Sequence, residues 1–242
     1  MAYADDESLF LMHPHTEKKP PGLFGILYLL RRDILICMGL NPNDGTEIIS
    51  AGPDTPSAPL WPGAMAVMAG VDLVAKFLEG KDNTSVGYRF RKFLEQCFKL
   101  ASQSDREIIY QLRNSLLHSF GLYSEDSTGR IYRFSLRQDG PLITSPTNPS
   151  DSTDRYVINI RRLHQDFEKA VVEYQTQLRT GPQANELQRN FARMFPNYGV
   201  IEIGPLPPPA TSDKQPGQPV APQLRPLPST TATLNLSSTY PR

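Results

Sequence analysis

Trp61-Pro62-Gly63-Ala64-Met65-Ala66-Val67-Met68-Ala69-Gly70-Val71-Asp72-Leu73-Val74-Ala75-Lys76-Phe77-Leu78 is the stretch that decides the fold class. Proline is tolerated in the first turn of a helix, and the run stops at Gly80. It is apolar nearly all round, the mark of a helix enclosed by others. Its small residues let neighbouring backbones approach closely. Asp72 and Lys76 interrupt the apolar surface four residues apart, which predicts an ion pair along the helix edge. The other reading of Asp72 is an acid that orients a functional arginine or histidine on a neighbouring helix.

Outward from that helix the same periodicity recurs. A helix is expected from Gly22 to Met38, stopped at Gly39 before the turn-rich Asn41-Pro42-Asn43-Asp44-Gly45. Another covers Val86 to Ala101, with Phe90, Phe93, Leu94, Cys97 and Phe98 at helical spacing. A third runs from Ser104 to Ser119, with Ser104 as N-cap and Glu107 completing a capping box. Helices over 161–178 and 182–194 close the series. Between them Arg130 to Leu136 and Tyr156 to Ile160 alternate as strands, joined by Pro/Ser/Thr/Asn-rich sequence, which reads as a long-looped β-hairpin. The expected architecture is mainly α. A flexible arm covers residues 1–21 and a helical domain residues 22–200, with the hairpin inserted at about 130–160. A Pro/Ser/Thr-rich tail over 201–242 is too poor in apolar residues to offset its ordering entropy.

Composition narrows the function classes. Lys plus Arg and Asp plus Glu number 25 each, so the chain as a whole is not a basic nucleic-acid coat. Arginines nonetheless gather between Arg89 and Arg162. Cys37 and Cys97 lack CxxC partners and sit in apolar surroundings, which fits small buried residues in a reducing compartment. Acids replace the basic region a signal peptide needs, and the apolar run Leu23–Leu30 is too short to span a bilayer, so a cytoplasmic location is expected. No Gly-rich phosphate loop, HExxH or GxSxG stands in the chain.

The chemistry-bearing stretch is Tyr110-Gln111-Leu112-Arg113-Asn114-Ser115-Leu116-Leu117-His118-Ser119-Phe120-Gly121-Leu122. On a helical wheel Ile108, Ile109, Leu112, Leu116 and Phe120 form a core stripe with Arg113 at its edge. Asn114 and His118 lie one turn apart on a mixed face that also holds Tyr110 and Leu117. Arg followed five residues later by His is a weak signal alone. Its position in the last turns of an amphipathic helix, with a polar residue straight after the arginine, adds weight.

This segment resembles the motif of the HEPN superfamily: an arginine, a polar residue, then a histidine, here R-N-x-x-x-H. The hairpin and the two helices after it are additions to that family's minimal bundle, and no companion nucleotidyltransferase signature is present. The resemblance implies a metal-independent endoribonuclease without cofactors, acting on RNA as a homodimer formed through the motif helix. His118 would move a proton, Arg113 would neutralise phosphate charge, and Asn114 would orient one of them. A toxin or defence effector held by an antitoxin or regulatory protein is the implied setting. Asp72 and Tyr110 are weaker supporting candidates, and Arg89 and Arg91, within Tyr88-Arg89-Phe90-Arg91, are weaker RNA contacts. Against these stand two other classes, a non-catalytic module binding RNA, a nucleotide or a protein, and a helical scaffold. Arg113 would then pair with Glu107, Glu125 or Asp126, and His118 would simply favour a helix C-terminus.

Overall fold

A computed structural model describes residues 2–15, 23–48, 60–148 and 153–202. The stretch beyond Glu202, where the unfolded tail is expected, lies outside the described residues. Seven helices and two small sheets occur among them: α1 (Ala2–Leu11), β1 (Leu23–Gly25), α2 (Ile26–Cys37), α3 (Leu60–Glu79), α4 (Val86–Gln96), α5 (Gln103–His118), β2 (Tyr123–Glu125), β3 (Ile131–Arg137), β4 (Ile143–Thr144), β5 (Tyr156–Asn159), α6 (Ile160–Thr180), α7 (Ala184–Tyr198) and β6 (Val200–Glu202). The protein is mainly α.

Helix α3 is the hub, packing against α2, α4, α5, α6 and α7. Val67, Met68, Val71, Val74 and Phe77 are fully enclosed. By length and composition α3 could cross a membrane, but 56% of its most apolar window is buried inside the protein, as befits a core helix. Gly70 is what lets α6 close on it, since a Cβ there would lie 2.6 Å from the Phe167 ring. The polar stripe Asp72–Lys76–Glu79 does not pair with itself. Lys76 bonds Asp82 at 2.9 Å, Glu79 bonds Lys92 at 2.8 Å, and Asp72 reaches α5.

Three expectations change. Residues 2–15 are not a loose arm: α1 is a helix whose Phe10 is fully buried, 4.1 Å from Phe77 and 5.6 Å from Phe191 between ring centroids. Burial of one aromatic against two others offsets the weak helical signal of its acidic sequence. The domain also runs past residue 200, because β6 pairs antiparallel with β1, Phe24 opposite Ile201. The inserted strands, finally, are no hairpin. β3 and β5 are parallel, flanked by β2 and β4 in the order β2-β3-β5-β4. The connection between β3 and β5 contains β4, two residues long, which turns back along β5. Alternation fixes which side chains face inward and leaves strand direction open.

Candidate functional site

Helix α5 starts at Ser102, whose hydroxyl accepts a bond from Asp105 N at 3.2 Å, two residues before the expected cap at Ser104. It ends where Gly121 N bonds Ser115 O at 2.9 Å. That closure puts the left-handed residue on Phe120, at φ 46°, although a glycine is its neighbour. Phe120 is 72% exposed.

The last two turns of α5 bring four of the candidate residues into one group. Arg113 is buried beneath the helix surface and donates from Nε and Nη2 to Asp72 Oδ2, at 2.8 and 2.6 Å. Its Nη1 donates to Asn114 Oδ1 at 3.2 Å and contacts His118 Nε2. Arginine only donates, so in this contact His118 Nε2 is the acceptor. His118 is exposed. Asp72 Oδ1 is buried with no hydrogen-bond partner among the described residues. A half-buried carboxylate therefore fixes a cationic fork, which in turn aims at an accessible imidazole. The ion pair expected between Asp72 and Lys76 is replaced by Asp72–Arg113 because α5 lies across that face of α3. None of the three acids nearer in sequence takes Arg113.

Of the weaker candidates only Asp72 joins the group; Tyr110, Arg89 and Arg91 lie elsewhere. Tyr110 packs its ring 5.8 Å from that of Phe90, and the Arg91 guanidinium covers it at 4.1 Å. Arg91 also bonds Glu107 at 2.7 Å. Arg89 is corrected from an RNA contact to a structural residue: it is 4% exposed and donates to the carbonyls of Asp82 and Thr84. It closes the connection from α3 to α4.

A second group had no sequence signal. Arg31 on α2, 3% exposed, donates from Nε to both Glu168 oxygens at 3.1 and 3.0 Å, and from Nη1 to the carbonyls of Leu11 and Met12. His13 and His164 each place Nε2 3.6 Å from Glu168, beyond hydrogen-bond reach but within that of charge. Burial, then the Arg31 charge, lowers His13 to about 4. Burial pushes the Glu168 carboxyl up, and its contacts with His164 and Arg31 more than reverse that, holding it at about 2. The members come from α2, α6 and the end of α1, and only packing unites them. Burial likewise drives the Cys97 thiol up to about 12, leaving it inert at neutral pH.

No family model, curated protein or solved structure matches the chain.

Proposed function

We propose that this protein is a metal-independent endoribonuclease of HEPN type, with Arg113, Asn114 and His118 as its reacting set and Asp72 as the residue that positions Arg113. The observation that carries the reading is the contact between a carboxylate-anchored arginine and an exposed imidazole at the end of one helix. RNA carries its own nucleophile, the ribose 2′-hydroxyl, so the reaction needs a base, an acid and a cation rather than an activated water.

In the resting chain Arg113 covers the His118 Nε2 lone pair. A scissile phosphate draws the Nη1 donor onto its non-bridging oxygen and frees that nitrogen. His118 Nε2 then takes the 2′-hydroxyl proton as the 2′-oxygen attacks phosphorus. Arg113 neutralises the extra charge of the five-coordinate phosphorus, and Asn114 steadies the fork. The bond to the 5′-oxygen breaks, leaving a 2′,3′-cyclic phosphate and a 5′-hydroxyl. The proton for the departing oxygen comes from His118 of a second copy, since one motif holds a single imidazole. A homodimer through the α5 end, in the cytoplasm, under the control of an antitoxin or regulatory protein, completes the proposal. The helical bundle of a HEPN domain and an extended Pro-rich tail belong to it.

The test is incubation of the purified chain with mixed RNA in EDTA, beside Arg113→Ala and His118→Ala. New 5′-hydroxyl and cyclic-phosphate ends that vanish in both variants support the site. Cleavage persisting in both sinks it, and a strict monomer in sedimentation removes the second acid. RNA retention without cleavage selects the second reading, a binding module. The Arg113 contact on the imidazole lone pair favours that reading.

A further inference from the structure

The helices leave few arginines unpaired. Arg31, Arg91, Arg113 and Arg162 each hold a carboxylate at hydrogen-bond distance. The four-stranded sheet behaves differently. Along β3 the inward side chains are Tyr132 and Phe134, 2% and 0% exposed, which turns Arg133, Ser135 and Arg137 outward. On β2 Ser124 faces in and Tyr123 faces out, 46% exposed. On β5 Tyr156 and Ile158 face in, so Val157 and the exposed Arg155 before it share the outer face.

Register assembles these residues into a row. Tyr123 lies opposite Arg133, and Ser135 lies beside Val157 in the parallel pair. One pleat back, the same register sets Arg155 beside Arg133. Tyr123, Arg133 and Arg155 thus cross three adjacent strands about 5 Å apart, with Arg137 four residues beyond Arg133 along β3. Arg133 holds its guanidinium 5.9 Å from the Tyr123 ring centroid. Arg133, Arg137 and Arg155 have no ion pair among the described residues. Glu125, bonded by the Tyr123 hydroxyl at 3.4 Å, is the only acid in these four strands.

Like charges set side by side across a sheet cost stability, and an anion laid along them recovers that cost. Guanidinium forks suit phosphate oxygens, and an exposed tyrosine ring suits a nucleobase. A row calls for a polyanion with repeating charge. β2 begins five residues after His118, so Tyr123 lies within about 17 Å of it by chain length alone. Exposed Phe120 stands between them in the chain.

We propose that the outer face of this sheet, through Tyr123, Arg133, Arg137 and Arg155, binds the backbone of single-stranded RNA and leads it to Arg113 and His118. The proposal rests on the ribonuclease reading for its destination, while the surface itself is tested apart from it. The full chain carrying His118→Ala binds a labelled single-stranded oligoribonucleotide, and anisotropy follows affinity against salt. Each backbone phosphate neutralised contributes about −0.7 to the slope of log affinity on log salt. Adding Arg133→Gln, Arg137→Gln and Arg155→Gln together makes that slope about 2 units shallower, and Arg155→Gln alone about 0.7. Tyr123→Ala weakens binding roughly 5- to 150-fold with the slope unchanged. An unaltered slope in folded single and triple variants overturns the proposal. So does tighter binding to phosphatidylserine vesicles than to RNA, lost in the triple variant. If wild type binds with this arginine dependence and cleaves nothing, the surface stands and the ribonuclease reading falls.

Discussion

Two places in this protein set an arginine against a carboxylate with imidazole alongside, and they differ in access. In the first, Asp72 anchors Arg113, which meets an exposed His118. In the second, Glu168 anchors Arg31, and the helix-end carbonyls of Leu11 and Met12 take the remaining donors. There His13 is held neutral by burial and by Arg31, and His164 is buried. The second group spends its cation on the protein's own backbone, so it clasps α1 to α2 and α6. The first keeps one imidazole edge in solvent. The same parts make a closed fastening or an accessible group, the one proposed to react, according to what they leave uncovered.

The largest effects should separate the two groups by function. Arg113→Ala and His118→Ala are expected to lower RNA cleavage about 10²- to 10⁴-fold, as loss of an acid–base or oxyanion group does. Arg31→Met should leave the rate per folded molecule unchanged, and rates normalised to active-site titre would check it. Next in size, Glu168→Ala strands a buried guanidinium and should cost about 3–5 kcal/mol in urea unfolding. His118→Ala, at an exposed helix end, should stay within about 0.5 kcal/mol.

Acid should then loosen the clasp in two stages. His13 stands at about 4 in the fold against 6.5 when unfolded, so the unfolded chain binds the extra proton and stability drops as pH falls from 6.5 to 4. The group faces Arg31, Glu168, His15 and His164. Allowing for its partial exposure, about 1–2 kcal/mol is involved. Glu168 at about 2 adds a contribution complete above pH 4.5 and lost toward 2. Urea midpoints against pH should show the upper window flattened in His13→Gln; an identical profile would remove His13 from the clasp. The smallest effect concerns the helix that carries the open group. Ser102→Ala should cost about 1 kcal/mol and Ser104→Ala almost nothing, and equal costs would return the cap to Ser104.

Helix α3 was readable because twenty consecutive residues obey one rule, apolar except at 72, 76 and 79. The sheet was only half readable. Alternation marks Tyr132 and Phe134 as inward, but β4, Ile143–Thr144, is too short to show a period, and without it the strand order cannot be inferred. Helix α1 was missed because Asp5, Asp6 and Glu7 look like solvent-loving chain, while its anchor Phe10 gains its meaning from Phe77 and Phe191. Within the candidate site, Arg113, Asn114 and His118 share one helix end, so local spacing brings them together. Asp72 is 41 residues from Arg113, and a helix rule sees Lys76 first. The Arg31–Glu168 group spans 137 residues and leaves no local trace at all.

The pairing of β1 with β6 and the burial of Phe10 against Phe191 set a timetable as well as a shape. At 5–20 residues per second, roughly 10–40 s separate translation of Phe10 from that of Phe191. During that interval Phe10 has Phe77 but lacks Phe191, and α3 lacks the cover of α6 and α7. Tertiary assembly therefore waits for α7 and β6, and the nascent chain is at its most adhesive, and most in need of a chaperone, until they emerge.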